Sequence, residues 1–348
     1  MRIALVSTPF VPVPPPGYGG TELVVAALHR ALRDAGHEVV LFATGDSRAP
    51  GLCWAFEKAI RPPEPWAEVV HCRRAAELAS AGGFDLVHAH APAMAAFADR
   101  LPCPLVLTLH HAADRALERL YADAPGATLV AISERQAELV GVRVGAVVHH
   151  GLDLSLYGPA GQGGDEAFFL GRLSWAKGPD LAVAAARRAR LPIVLAGKVH
   201  PEDEAPAGWL ERALLPALRA PHVRAAGVAD LAVKRRAFGR ARALLAPLRW
   251  EEPFGLMLIE AGLAGCPVIA YPRGAAPEIV EDGVTGFLVE DVASMALALR
   301  WAAKLDCRHI QARARERFSA ARMARDYLEV YRAATRGRAE TGWTTVTP

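Results

Sequence analysis

A turn carrying two fixed cations is the first place where this sequence could do chemistry. A strand-like run ends at Gly171, and the segment GRLSWAKG leads from it to Pro179 and a helical pattern. Arg172 offers a planar guanidinium fork and Lys177 a point charge, and both groups bind phosphate oxygens. The amides at a helix N-terminus favour the same ligand. The segment predicts a diphosphate site that works without a metal ion, and a pair of solvated cations is the alternative.

The segment WEEPFGLMLIEA places two glutamates around a predicted helix start at Gly255. Amides at that turn can hold phosphate. Glu252 stands just before the helix, where its carboxylate can accept a hydrogen bond from a sugar hydroxyl. Glu260 falls on an otherwise apolar face and therefore needs a hydrogen-bonding partner, for which a ribose diol is a good candidate. An N-terminal helix acid and a paired core acid are the structural alternatives.

The elements that must position these residues repeat a strand, loop, helix and strand pattern, which is typical of parallel sheets covered by helices. A glycine-rich segment between Asp153 and Asp165 interrupts this pattern and predicts a linker. The fold class is therefore α/β, with two Rossmann-like, doubly wound domains at residues 1–158 and 159–322. An amphipathic helix at about 323–338 is expected to pack back onto the first domain.

Composition narrows the classes of partner. The 348 residues are 52% hydrophobic, and 40 basic against 37 acidic residues give a net charge of +3, which does not favour nucleic acid. Five scattered cysteines form no disulfide or zinc pattern, so a cytoplasmic location is expected. The first 158 residues contain 13 basic and 16 acidic residues, and the remainder 27 and 21, which predicts an anionic ligand on the second half. Membrane association is not favoured, because the first half is acidic.

Four segments together resemble a known family: PPPGYGGTE, GRLSWAKG, EPFGLMLIE and GCPVIAYPRGAAPEIVEDGVTGFLV. They are similar, in the same order along nearly the whole chain, to the retaining nucleotide-sugar glycosyltransferases of the glycogen-synthase-like group (group 1, family four). The resemblance implies the GT-B fold, in which two domains face each other across a cleft. It also implies transfer of a glycosyl group from a UDP- or GDP-type sugar to an acceptor hydroxyl, with no metal or other cofactor.

The resemblance assigns roles to individual residues. Arg172 and Lys177 would hold the donor diphosphate, and Glu260 the ribose hydroxyls. Glu252 would bind the donor sugar, beside the backbone amides of Phe254, Gly255 and Leu256. In the first half, Gly19 and Gly20 would approach the donor phosphate or the acceptor, and His110 would lie beside the reacting sugar. The residues expected to take part in catalysis are His110, Arg172, Lys177 and Glu252.

Three further histidines carry open alternatives. His150 stands where family members often have asparagine before Gly151, so its role is not assigned. His88 and His90 share one face of a predicted strand, and such a pair can bind metal. No third ligand is evident in the sequence, so no metal site is predicted.

Rival functions share parts of these patterns. A nucleotide-sugar-binding protein without activity and a GT-B sugar-nucleotide epimerase would both keep the donor site. A phosphorylase-like enzyme would need a lysine for pyridoxal phosphate in the second half. A dinucleotide oxidoreductase is excluded, because no Gly-x-Gly-x-x-Gly follows the first strand. No carboxylate nucleophile is evident, so the resemblance favours front-face attack, with the leaving phosphate oxygen accepting the acceptor's proton.

Overall fold

The computed structural model describes residues 1–17, 19–200 and 205–340, with side chains as far as residue 337. It divides the chain into two compact domains. The first contains residues 1–152 and the C-terminal segment from Ser319, and the second contains Asp153–Phe318. Among the described helices, none has the length and apolar character that crossing a membrane requires.

The first domain is built on a parallel sheet of short apolar strands. Its strands are β1 (Arg2–Val6), β2 (Glu38–Ala43), β3 (Leu52–Trp54), β4 (Leu86–Ala89), β5 (Leu105–Thr108), β6 (Ala127–Ala131) and β7 (Ala146–Val147). Its α-helices are α1 (Gly20–Asp34), α2 (Pro65–Ala81), α3 (Arg115–Ala122), α4 (Glu134–Leu139) and a long helix near the C-terminus, Ala320–Glu340. The strand order is β3-β2-β1-β4-β5-β6-β7. Strands β1, β4 and β5 are almost wholly buried, as expected of a sheet covered on both faces.

The second domain repeats this architecture. Its strands are β8 (Glu166–Leu170), β9 (Ile193–Ala196), β10 (Val223–Gly227), β11 (Ala241–Ala246), β12 (Val268–Ala270) and β13 (Gly286–Leu288), in the order β10-β9-β8-β11-β12-β13. Its helices are α5 (Pro179–Ala189), α6 (Leu215–Leu218), α7 (Leu231–Arg240), α8 (Leu256–Leu263), α9 (Ala276–Ile279), α10 (Val292–Ala302) and α11 (Cys307–Arg317). In chain order, the helix Ala320–Glu340 of the first domain follows these and is therefore α12.

In both sheets the strand order reverses next to the domain's first strand. The reversal lies between β1 and β4 in the first domain and between β8 and β11 in the second. At such a point the loops leaving the two strands diverge, and they open a crevice at the carboxyl ends of the strands where ligands bind. The predicted fold class, two doubly wound α/β domains, is confirmed.

The two ends of the first domain meet where the chain leaves it and returns. Leu152 forms a bridge to Ser319, and a Cβ on Gly151 would lie 2.3 Å from the Ser319 carbonyl oxygen. Because this close contact holds both segments in the first domain, the division falls after Leu152 rather than after Gly158. Helix α12 then packs against α1.

Candidate functional site

The loops after β8 and β11 meet at the switch point of the second domain. Lys177, in the loop after β8, donates to Glu252 Oε2, and the Trp250 indole donates to the same oxygen at 2.9 Å. The Lys177 ammonium also lies 4.9 Å from the centre of the Trp250 ring. The side chains of Lys177 and Glu252 are only 12% and 11% exposed, so this ion pair is shielded from water. One carboxylate oxygen is thus held in place, and Oε1 remains as an acceptor.

A second set of contacts fixes these two loops to each other. Arg249 forms a two-pronged ion pair with Asp180, at 2.8 and 2.6 Å, and donates to the Trp175 carbonyl at 2.8 Å. A Cβ on Gly178 would lie 2.2 Å from the Pro247 carbonyl oxygen, and Gly178 has a positive φ of 70°. Only glycine allows both this approach and this backbone conformation. Arg172 lies at the start of the same loop, directly after Gly171 and partly buried.

Glu260 lies on α8, buried at 4% exposure. Lys234 on α7 donates to its Oε1 at 2.9 Å, which supplies the partner that a buried carboxylate needs. Helix α8 begins at Leu256 after Phe254 and Gly255, and Gly255 has a φ of 89°. Glu252 is separated from the N-terminal end of α8 only by Pro253, Phe254 and Gly255, and that end carries the positive end of the helix dipole.

In the first domain, the glycine loop after β1 lies beside a buried acid. Gly19 precedes α1 and Gly20 begins it, while Tyr18 lies outside the described residues. A Cβ on Gly19 would approach Glu22 Oε2 to 3.0 Å. Glu22 is 5% exposed and accepts a hydrogen bond from Thr8 Oγ1 at 2.6 Å. Burial raises the pKa of the Glu22 carboxyl above 4.5.

Four histidines form a row, with His88 and His90 at the end of β4, His110 after β5 and His150 after β7. The ring centres of His88 and His90 are 4.3 Å apart, those of His90 and His110 are 5.0 Å apart, and those of His110 and His150 are 5.1 Å apart. Burial lowers the pKa of His88 and of His150 to about 3. Burial and the neighbouring rings lower the pKa values of His90 and His110 well below 6.5. The row is therefore neutral at pH 7.

Helix α12 contributes to this row through two buried tyrosines. The Tyr331 hydroxyl lies 2.7 Å from His88 Nδ1, and Thr108 Oγ1 lies 2.8 Å from His88 Nε2. The Tyr327 hydroxyl lies 2.7 Å from the same Thr108 oxygen. Within the described ranges, no three His, Cys, Asp or Glu residues are grouped so as to hold a metal ion.

The structure brings Lys177 and Glu252 together, and it places Gly19, Gly20 and His110 at carboxyl ends of strands in the first domain. The sequence interpretation missed the contacts of four residues with the predicted ones, which are Trp250, Lys234, Glu22 and His90. Lys234 is one of the lysines in the second half, where the sequence suggests a lysine role only for a phosphorylase-like enzyme. His90 is suggested there only as a member, with His88, of a pair that can bind metal. Glu22 could have been noticed, because it follows the glycine loop directly.

Comparisons with known proteins match glycosyltransferases over both halves of the chain. The model of the family described as glycosyl transferases group 1 matches residues 164–304, and that of glycosyltransferase family 4 matches residues 18–156. A D-inositol 3-phosphate glycosyltransferase of Mycobacterium sp. (strain JLS) is 28% identical, over 83% of this chain and 79% of its own length.

Solved structures show the same fold along the chain. AviGT4, a glycosyltransferase involved in avilamycin A biosynthesis, has a TM-score of 0.75 and 24% identity, covering 97% of this chain and 98% of its own. Anabaena HepE in complex with UDP and glucose has a TM-score of 0.72 and 20% identity, covering 96% of this chain and 100% of its own.

Proposed function

Because this chain belongs to the group 1 glycosyltransferases, we propose that it moves a glycosyl group from a nucleoside diphosphate sugar to an acceptor hydroxyl, with retention at the anomeric carbon and without a metal ion. The observation that carries the proposal is the meeting of Lys177 and Glu252. They are 75 residues apart in the sequence and lie together at the switch point of the second domain.

The diphosphate would bind at the cationic loop. Negative charge grows on the leaving diphosphate as the glycosidic bond breaks, and groups already placed around it stabilise that charge without reorganising. Lys177, Arg172 and the N-terminal end of α8 supply such groups. Glu252 neutralises Lys177 in the structure, so an incoming diphosphate would compete with that carboxylate for the ammonium group.

The two glutamates would recognise the two sugars of the donor. Glu252 Oε1 can accept a hydrogen bond from a hydroxyl of the transferred sugar, while the Trp250 indole holds the other oxygen. Glu260 would accept from the ribose hydroxyls, with Lys234 keeping its carboxylate oriented. UDP is the first nucleotide to test, because HepE was solved with UDP.

Front-face attack is the mechanism proposed for retention. A retaining glycosidase forms a covalent intermediate on a second carboxylate across the sugar ring. The carboxylates assigned here, Glu252 and Glu260, both belong to the donor side. In the proposed route the leaving phosphate oxygen takes the proton of the acceptor hydroxyl. Detection of a glycosyl-enzyme by mass spectrometry would contradict this route.

The first experiment is a thermal-shift screen with UDP, GDP, ADP and TDP and their sugars, since a ligand of the native state raises its stability. We expect one nucleotide to raise the unfolding temperature. Turnover of the matching sugar is then measured with inositol phosphate and other hydroxyl acceptors, and the anomeric configuration of the product is read by NMR. Binding without turnover would favour an inactive nucleotide-sugar-binding protein, and no binding at all would refute the donor site.

The site assignment is tested by one substitution with a matched control. Lys177→Ala should lower kcat by roughly 100-fold or more, because it removes a charge aimed at the leaving group. Lys304→Ala is the control, since the Lys304 ammonium lies over the Trp301 ring at 4.3 Å just as Lys177 lies over Trp250. Equal kinetics in the two variants would contradict the role of Lys177.

A further inference from the structure

The geometry points to His90 as a positioning residue that fixes the tautomer of His110, so that His110 carries its proton on Nδ1 and acts as a hydrogen-bond donor through that atom. The inference rests on the proposed function only in placing His110 beside the reacting sugar. The tautomer itself is a property of the first domain and can be measured without any sugar.

A hydrogen bond joins the rings of His90 and His110, and the direction in which it is donated determines both tautomers. His90 Nδ1 lies 2.7 Å from His110 Nε2. A neutral imidazole has one N–H and one bare nitrogen, so one ring must donate and the other accept. Burial keeps both rings neutral, because it lowers both pKa values well below 6.5. Two arrangements of the protons are therefore open.

The other nitrogen of His90 decides between them. His90 is 1% exposed, and its Nε2 has no hydrogen-bond partner in the part of the chain that the structure describes. A proton on Nε2 would be a buried donor without an acceptor. A proton on His90 Nδ1 is instead donated to His110, and His90 Nε2 then carries only a lone pair that accepts no hydrogen bond. Buried donors without partners are the rarer defect in proteins, so the proton belongs on Nδ1.

The position of the proton on His90 determines the position of the proton on His110. If His90 Nδ1–H donates, His110 Nε2 is the acceptor, and the single proton of His110 must be on Nδ1. An N–H at that position suits an oxygen acceptor, such as a sugar hydroxyl or a phosphate oxygen. It cannot remove a proton from the attacking hydroxyl through Nδ1. His110 then orients or stabilises the donor sugar and is not the general base.

His88 shows why the inference is confined to one pair. Both of its ring nitrogens face hydroxyl groups, Tyr331 on one side and Thr108 on the other. A hydroxyl either donates or accepts, so these contacts do not select a tautomer. Among the residues that the structure describes, the pair of His90 and His110 alone combines a nitrogen-to-nitrogen bond with a buried nitrogen that has no partner.

The direct test is NMR of the full chain carrying 15N-labelled histidine, at pH 7 and without substrate. Long-range 1H–15N spectra distinguish a protonated ring nitrogen from a bare one. His110→Gln and His90→Asn assign the signals by their loss. We expect the Nδ1–H tautomer for both rings. An Nε2–H tautomer of His110 would overturn the inference, and this result does not depend on whether the protein turns over any sugar.

A second test separates positioning from packing. His90→Leu removes the donor, whereas His90→Asn places an amide N–H near the former Nδ1. We expect His90→Leu to give a mixture of His110 tautomers and about a tenfold loss of kcat, and His90→Asn to restore most of both. His29→Leu removes another buried histidine of the first domain, on α1, and controls for packing loss. Equal effects of Leu and Asn at position 90 would overturn the inference.

Discussion

The buried histidine row makes the first domain sensitive to acid, and His150→Asn isolates one member of it. Burial lowers the pKa of His150 to about 3 in the folded chain. An unfolded histidine has a pKa of about 6.5. Between these values the unfolded state binds a proton that the folded state does not, so stability falls as the pH falls below 6.5. The contribution is fully present above that pH.

The size of the effect follows from the same two pKa values. From pH 7 to pH 5, protonation of one such histidine in the unfolded chain lowers the free energy of unfolding by about 2 kcal/mol. Burial also lowers the pKa of His88 to about 3, so His88 adds a similar loss of stability. The wild type and the His150→Asn variant share that loss. His150→Asn should therefore lose about 2 kcal/mol less than the wild type over this range.

Hydrogen–deuterium exchange measures this difference in the right domain. Exchange of peptides from β4 and β5 gives the free energy of opening at pH 7 and pH 5, after correction for the intrinsic rate at each pH. His149→Asn, the same substitution one position earlier at a half-buried site, is the control. An equal loss between pH 7 and pH 5 in wild type and His150→Asn would refute the assignment of the row as neutral and buried.

Three other predictions address single contacts. Glu22→Gln should raise the unfolding temperature at pH 7 but not at pH 4, because the raised pKa of this buried acid means that stability is lost as it ionises with rising pH; an equal gain at both values would contradict this. Gly274→Ala should destabilise far more than Gly283→Ala in thermal unfolding, because both have positive φ but only at Gly274 would a Cβ meet backbone, at 2.1 Å. Lys234→Met should weaken nucleotide binding about tenfold by calorimetry, because it leaves the Glu260 carboxylate without its cation; unchanged binding would remove Lys234 from the site.

The local parts of the candidate site were predictable from the sequence. A cationic loop before a helix and a glycine before another helix are encoded within about ten residues, and so is the alternation that makes a parallel sheet. Local patterns alone predict a helix over residues 180–190 and a strand over 192–196, and the structure has α5 and β9 there. In such segments, composition and spacing determine the conformation directly.

The partners of these groups were not predictable in the same way. The Tyr331 hydroxyl meets a ring 243 residues earlier, and Thr108 meets Tyr327 across 219 residues. In the sequence, Tyr327 and Tyr331 are part of the apolar side of the helix predicted at about 323–338, and nothing in that pattern identifies their partners. Strand β10 was missed for another reason. It lies at the sheet edge, and its residues Arg224 and Ala225 are exposed, so the segment lacks the apolar pattern of a buried strand.

The return of the chain to its first domain at Ser319 sets an order of events during synthesis. The ribosome completes residues 153–318, and with them the whole second domain, before it makes helix α12. Until then the first domain lacks the two tyrosines that cover His88 and Thr108. Domains fold as units while the chain emerges. The second domain therefore has all its residues before the first domain does. Part of the core of the nascent first domain therefore stays uncovered until helix α12 has been synthesised.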